Sequence, residues 1–441
     1  MASTACDHDV VLFGATGFVG RFTAAHLAAH APSDLRIALA GRSRHRLEQL
    51  RSELGPAAAD WPLIVADALD DGQTAALAAS ARVVATTVGP YSTYGKGLVG
   101  ACAASGTDYV DLTGEVLFVR HSIDANHKQA QRTRARVVHA CGFEALPSDL
   151  GVWLTARTAA ADGAGQLTDT LLHVRSLAGG ISGGTIDTAR QQALAAATDP
   201  QARRVLADPY ALSPARTEEP DAAGSRPWAR PARPPAPRPN WLSRLDTYGR
   251  LHRLELAVRA LPVDRAEASG VYSVRSLMAA FNTRIVRRSN ALTAWSYGRE
   301  FTYDEVLDTG SGARGVIVAG GAALFQAMLD GGMRSRPIRS LLDRVLPEPG
   351  EGPSPETLGG GHFAVEIEAG TTSGARYLTR FAAAYDPGYL GTAVMFGESA
   401  LALALDELPD RAGVLTPSTA LESTILDRVR RHGFTVTVRR V

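Results

Sequence analysis

Lysine is nearly missing from this chain: of its 46 Lys and Arg residues, only Lys96 and Lys128 are lysines. Schiff-base chemistry is therefore confined to two side chains. Cysteine is scarce as well. Cys6, Cys102 and Cys141 are too few and too scattered for a disulfide framework or a zinc knuckle, and a reducing cytoplasm is the compartment they fit. Charge of one sign is also lacking. The 441 residues carry a formal net charge of +1, which gives no case for a nucleic-acid partner. The first residues, Met1 to His8, have neither a basic nor an apolar region, so no signal peptide is expected. Long hydrophobic runs are absent too. Gly315 to Phe325 is the most membrane-like stretch, but it stops near Gln326 and Asp330, short of the ~20 apolar residues of a span. A buried helix is the preferred reading there, a lipid-facing surface helix the alternative. His139, His252 and His362 stand apart from one another, and no metal site is expected. Neither lysine has a tyrosine four residues before it, which argues against ordinary short-chain alcohol dehydrogenase chemistry.

What is present begins at once. Asp9 to Phe13 is a short apolar strand pattern, followed by Gly14-Ala15-Thr16-Gly17-Phe18-Val19-Gly20 and then a helical pattern. Gly14 permits a tight turn, Gly17 lets backbone N–H groups approach a pyrophosphate, and Gly20 lets the helix pack close to the strand. The helix N-terminus offers unpaired N–H groups and a partial positive charge to the anion. Strands then alternate with helices: Arg36–Ala40, Leu63–Asp67, Arg82–Val88, Tyr109–Leu112 and Arg136–Ala140, separated by helices at 44–54, 71–80, 98–105 and 126–134. The fold class is α/β, a Rossmann-type doubly wound parallel sheet. The chain is too long for one ordinary core. Residues 1–145 read as the nucleotide domain and 146–380 as a second, smaller α/β domain with a Pro-rich loop at 213–240. Residues 381–441 read as C-terminal helices, at 392–408 and 418–432, that return to the first domain.

The second strand ends Ala40-Gly41-Arg42-Ser43, without the carboxylate that usually takes the ribose 2′-OH. Arg42 is placed to pair with a 2′-phosphate and Ser43 to add a hydrogen bond, so NADPH is expected over NADH. A solvated arginine at a helix start is the alternative. Asp67 closes the third strand, where it touches adenine or caps a helix. After the fourth strand, Gly89-Pro90 fixes a loop beside the nicotinamide position, and Tyr91 and Lys96, with Tyr94, are the candidate proton donors. The competing reading is that the tyrosines pack and Lys96 faces solvent. Asp111, Thr113, Gly114, Glu115, Glu144 and Asp149 either line the cleft or serve as caps and hinge contacts.

Taken together, Gly14–Gly20, Ala40-Gly41-Arg42, Gly89-Pro90-Tyr91, Gly106 to Glu115, Cys141 to Asp149, Ser182-Gly183-Gly184-Thr185, Pro387-Gly388-Tyr389 and Gly413 to Pro417 resemble the saccharopine dehydrogenase-like oxidoreductases, and within them the actinobacterial trans-acting enoyl reductases. The resemblance implies an NADP-binding domain whose cofactor residues include Gly14, Gly17, Gly20 and Arg42. It implies reduction of an enoyl double bond on a polyketide or lipid acyl thioester, in trans to a synthase or its acyl carrier protein. It assigns no proton donor. Three other functions compete at this level: an amino-acid dehydrogenase like saccharopine reductase, a non-catalytic NADP-binding scaffold, and a lipid-associated protein with peripheral membrane contact through 315–325. The oligomeric state is not readable from the sequence.

Overall fold

The computed structural model describes residues 6–179, 183–220, 263–265, 270–327 and 358–441. Gly180-Ile181-Ser182, most of the Pro-rich stretch (221–240) and His252 lie outside the described residues.

The first sheet is parallel throughout. It contains β1 (His8–Phe13), β2 (Ile37–Gly41), β3 (Leu63–Val65), β4 (Ala81–Thr86), β5 (Asp108–Asp111), β6 (Arg136–Val138) and β13 (Gly413–Leu415). Their order is β13-β6-β5-β4-β1-β2-β3. The register is set by in-line apolar pairs such as Val11 with Ala38 on one side and with Val84 on the other. Strands buried on both faces need such unbroken apolar runs, and the connecting helices supply the cover. Those helices are α1 (Phe18–His30), α2 (Arg44–Leu54), α3 (Asp71–Ser80), α4 (Tyr91–Ser105) and α5 (Val116–Thr133).

α6 (Leu146–Ala161) leads to the second sheet. That sheet contains β7 (Leu167–Ala178), β8 (Val263–Arg265), β9 (Val271–Arg275), β10 (Thr302–Ser311), β11 (His362–Thr371), β12 (Arg376–Ala383) and β14 (Thr435–Arg440). Its order is β14-β12-β11-β7-β10-β9-β8. β10 runs parallel to β7, and the other pairs are antiparallel. The remaining helices are α7 (Gly183–Thr198), α8 (Pro200–Ala207), α9 (Ala279–Leu292), α10 (Gly312–Ala327), α11 (Leu390–Leu405) and α12 (Pro417–Arg431).

One continuous core joins the sheets. It runs from Val10 and Leu12 of the first sheet through Met395 and Phe396 of α11, Leu421 and Ile425 of α12 and Val152 of α6 to Ile367 and Phe381 of the second. α11 is buried from Gly391 to Ala404, because it is largely apolar and lies inside the molecule, with Glu398 its one charged residue there, ion-paired. The last sixty residues therefore contribute more than the two expected helices: β13 extends the first sheet and β14 closes an edge of the second.

Three expectations are corrected. The stretch after β4 is not an extended loop, because α4 already starts at Tyr91. α5 starts at Val116, ten residues earlier than its apolar spacing indicates. The 315–325 segment is not a buried helix. Small residues Ala319 and Ala323 of α10 face inward, while Ile317 is 74% and Leu324 56% exposed. Among the described residues no helix is long and apolar enough to cross a membrane.

Candidate active site

The crevice lies at the C-terminal ends of β1 and β4, where the strand order reverses and where open α/β sheets bind ligands. Gly14 has φ +87°. A Cβ there would lie 2.7 Å from Thr87 Oγ1 and 2.8 Å from Val88 Cγ2, so the turn admits only glycine. Gly17 is the N-cap of α1. At Gly20 a Cβ would fall 2.2 Å from the Gly14 carbonyl, the close helix–strand approach the fingerprint requires. Thr87 Oγ1 donates to that same carbonyl at 3.0 Å and ties the β4 loop to the glycine turn. Among the described residues no side chain caps α1, and no acidic residue stands in its first turn. Its N–H groups therefore face the crevice with their partial positive charge uncompensated by a side chain. Thr16 is half-buried beside this turn. The Phe18 ring packs edge-on against Tyr389 at 4.7 Å and Phe22 at 5.3 Å, walling one side.

Arg42 is exposed just past the end of β2, with no hydrogen bond or ion pair among the described residues. A cation without a carboxylate at this position suits a 2′-phosphate and disfavours the unphosphorylated ribose. Ser43 is the N-cap of α2 and accepts from Arg46 N. Asp67 caps its own turn, accepting from Leu69 N at 3.0 Å, while its backbone N–H donates to Gln73 Oε1 at 2.8 Å. An open glycine turn, an uncapped helix and an unpaired arginine together fit NADPH.

The residues after β4 are arranged differently. Gly89-Pro90 is a cis peptide. The Tyr91 ring lies against Phe118, with centroids 5.7 Å apart. Its hydroxyl donates to the Thr86 carbonyl at 3.1 Å and accepts from Leu112 N at 3.2 Å. Burial holds its pKa well above the ordinary phenol value. Lys96 is exposed, on the side of α4 that faces His121 of α5. The structure thus separates Tyr91 from Lys96, one braced between backbone groups and the other in solvent, and Tyr94 stands half-buried on α4.

Glu115 explains the first turn of α4. It is 1% exposed and accepts from Tyr91 N at 2.7 Å and from Ser92 N at 2.8 Å. Ser92 Oγ donates to the same carboxylate. Asp111, fully buried, accepts from Tyr109 Oη, Thr113 N and Ala140 N and pairs with His139 Nδ1 at 2.7 Å, while His139 Nε2 meets Ser122 Oγ. Asp149 accepts from Ser289 Oγ and from Ser418 N, joining α6 to α9 and α12. Of the two readings left open for these acids, cap and hinge is the one their partners fit.

Glu144 differs from the other acids. Its Oε2 is buried without a hydrogen-bond partner among the described residues, and burial, reinforced by Asp111, raises its pKa to about 7. It folds over Gly142, where a Cβ would meet Oε2 at 2.3 Å and would also touch Leu112 and Thr392. Buried carboxyls poised near neutrality cluster at functional sites. Sequence gave one hint, a glutamate two residues after a glycine at a strand end, but nothing in it marks a missing partner. α7 and the α9 N-cap lie over the start of α5: a Cβ at Gly114 would lie 3.9 Å from both Thr188 Cγ2 and Met278 Cε, and Gln192 accepts from Val116 N at 2.9 Å.

Comparisons with known proteins agree with this geometry. Residues 10–139 match the saccharopine dehydrogenase NADP binding domain. A Mycobacterium tuberculosis protein, provisionally named a trans-acting enoyl reductase, is 47% identical over 100% of both chains. The trans-acting enoyl reductase of Mycobacterium bovis is 45% identical over 97% of this chain and 96% of its own; that of Mycobacterium ulcerans is 43% identical over 100% of both. Among solved structures, saccharopine dehydrogenase (L-Glu forming) from Saccharomyces cerevisiae shares the fold, with a TM-score of 0.50 and 13% identity over 98% of this chain and 100% of that one. With its NADP-type crevice and full-length relatives, the chain belongs to the trans-acting enoyl reductases of the saccharopine dehydrogenase-like oxidoreductases, and it is an NADP-dependent oxidoreductase.

Proposed function

We propose that the chain reduces the α,β double bond of an enoyl thioester on a polyketide or lipid intermediate, acting in trans on a synthase or its acyl carrier protein. The observation that carries this reading is the uncapped α1 N-terminus and unpaired Arg42 in a chain 45–47% identical to named enoyl reductases. When bound, NADPH supplies the hydride, which goes to the β-carbon. Gly14, Gly17 and Gly20 would hold its pyrophosphate at the α1 N-terminus, with Thr16 and Phe18 beside them. Arg42 and Ser43 would take the 2′-phosphate, and Asp67 the adenine. Gly89 and Pro90 would hold the backbone that meets the nicotinamide.

The α-carbon needs a proton, and Glu144 is the donor this reading assigns. Its Oε2 is buried without a hydrogen-bond partner among the described residues, and burial raises its pKa to about 7, in the range general acid work requires. Tyr91 serves as a brace for the β4–α4 connection, and Lys96 is left on the surface. The test is NADPH oxidation by purified protein with an enoyl thioester, presented both free and on a carrier protein. Turnover on either supports the reading. Tight NADPH binding with no turnover on both would sink it in favour of a scaffold, and glutamate-dependent turnover with an aldehyde would favour the saccharopine-reductase alternative.

The same reading places the chain in the cytoplasm beside its synthase. The exposed Ile317 and Leu324 of α10 support peripheral contact with a lipid surface. Flotation with liposomes, lost in Ile317→Asp, is the corresponding measurement.

A further inference from the structure

Three histidines far apart in the chain meet on the side of the molecule away from the glycine turn. His26 and His30 stand one turn apart on α1, and His432 is the C-cap of α12. One ring nitrogen from each lies within 4.8 Å of the others. The three rings pack mutually, with centroids 4.7, 4.8 and 4.6 Å apart. Glu398 of α11, 2% exposed, bonds through Oε1 to His26 Nε2 at 2.8 Å and to His432 Nε2 at 2.9 Å. Gly397 makes room for this: a Cβ there would lie 2.8 Å from His26 Cδ2.

We propose that His26, His30 and His432 bind one divalent metal ion of the zinc class, with Glu398 orienting two of the imidazoles. The donor set fits the chemistry. Neutral imidazoles are the preferred nitrogen ligands of zinc, and a ligating histidine commonly gives its second ring nitrogen to a carboxylate. Glu398 takes Nε2 of both His26 and His432, and among the described residues neither Nδ1 has a hydrogen-bond partner. The electrostatics also fit, because His30 ends α1 and His432 ends α12, so two helix C-termini direct partial negative charge at the cluster. Arg428 is the opposing charge. It bonds Glu398 Oε2 at 2.8 Å but is also paired with Asp406. The site lies at the far end of the helix whose N-terminus takes the pyrophosphate. Its role is to pin α1 to α11 and α12, locking the first sheet's opening helix to the C-terminal return.

The test uses metal-free full-length protein titrated with Zn²⁺ in equilibrium dialysis, together with its thermal midpoint. His30→Gln and His432→Gln are the variants. His30 is exposed and its replacement leaves the fold intact, which circular dichroism checks. The expected result is one Zn²⁺ per chain, a midpoint that rises with Zn²⁺ as binding to the native state requires, and binding weakened at least roughly tenfold in each variant. The proposal is overturned if wild type binds no Zn²⁺. It is equally overturned if His432→Gln binds as wild type does, since the metal would then sit on the α1 pair alone.

Discussion

Two helices start at the same edge of the same sheet, from adjacent strands, one after Gly17 and the other after Gly89-Pro90, and their first turns are built in opposite ways. At α1, among the described residues, no side chain caps the N-terminus and no acid stands in the first turn. At α4 the same backbone groups are filled by the buried carboxylate of Glu115, a residue from the loop after β5. The physics is identical in both places: unpaired N–H groups and a positive helix end seek an anion. The protein supplies that anion itself at α4 and leaves α1 open to a ligand. A glycine-rich turn before a helix is therefore not enough to mark a phosphate site. What marks it is the absence of an internal acceptor.

The contrast can be broken most severely at Glu115. Glu115→Ala leaves two buried N–H groups and a hydroxyl without their charged acceptor, and should cost about 3 kcal/mol or more of stability. Urea unfolding would show it, with the preference for NADPH over NADH retained in the folded fraction. A change in that preference would mean that α4 also touches the coenzyme. Next in size is Arg42→Ala. Losing charge-assisted hydrogen bonds to a 2′-phosphate removes roughly 1.5–3 kcal/mol, about a tenfold to hundredfold loss in NADPH affinity. Fluorescence titration should find NADH affinity unchanged. Gly20→Ala places a methyl against the Gly14 carbonyl and should destabilise by about 1–3 kcal/mol. It should also weaken both coenzymes alike, which separates turn geometry from 2′-phosphate recognition.

The smallest expected change is a pH effect at Glu144. Its pKa rises from 4.5 to about 7 on folding, so the native state holds the proton more tightly than the unfolded chain. Stability should therefore decline as pH rises from about 4.5 to about 7, and Glu144→Gln should remove part of that decline. Asp108, Asp149 and Glu305, all likewise raised, keep the remainder. If Glu144 is the acid, turnover should fall above about pH 7 in the wild type, and Glu144→Gln should lower it throughout while NADPH binding persists.

Much of the nucleotide half was legible in the residues. The apolar strand runs and the three glycines act over a few positions, and local sterics and hydrogen bonding decide them. α2 and α3 start and stop where their patterns do, at Arg44–Leu54 and Asp71–Ser80. α5 starts ten residues ahead of its apolar pattern because its first turn is held by contacts, including Gln192 from α7, that no local pattern encodes. β13 and β14 are three and six residues long, and each exists because a distant strand offers it an edge. The 315–325 segment shows the converse: its composition indicated burial, but only its small residues found a sheet to pack on.

Sequence by itself settled the parallel α/β sheet, the glycine turn and the missing carboxylate after β2, because each depends on chemistry within a few residues. Tertiary structure alone decided which acids are used up and which are not. It turned Glu115 into a cap, committed the Tyr91 hydroxyl to Thr86 and Leu112, left Glu144 Oε2 unpartnered and gathered three histidines around Glu398. A side chain's role in a buried site is set by the partners the fold brings to it, and those partners lie on other elements of the chain.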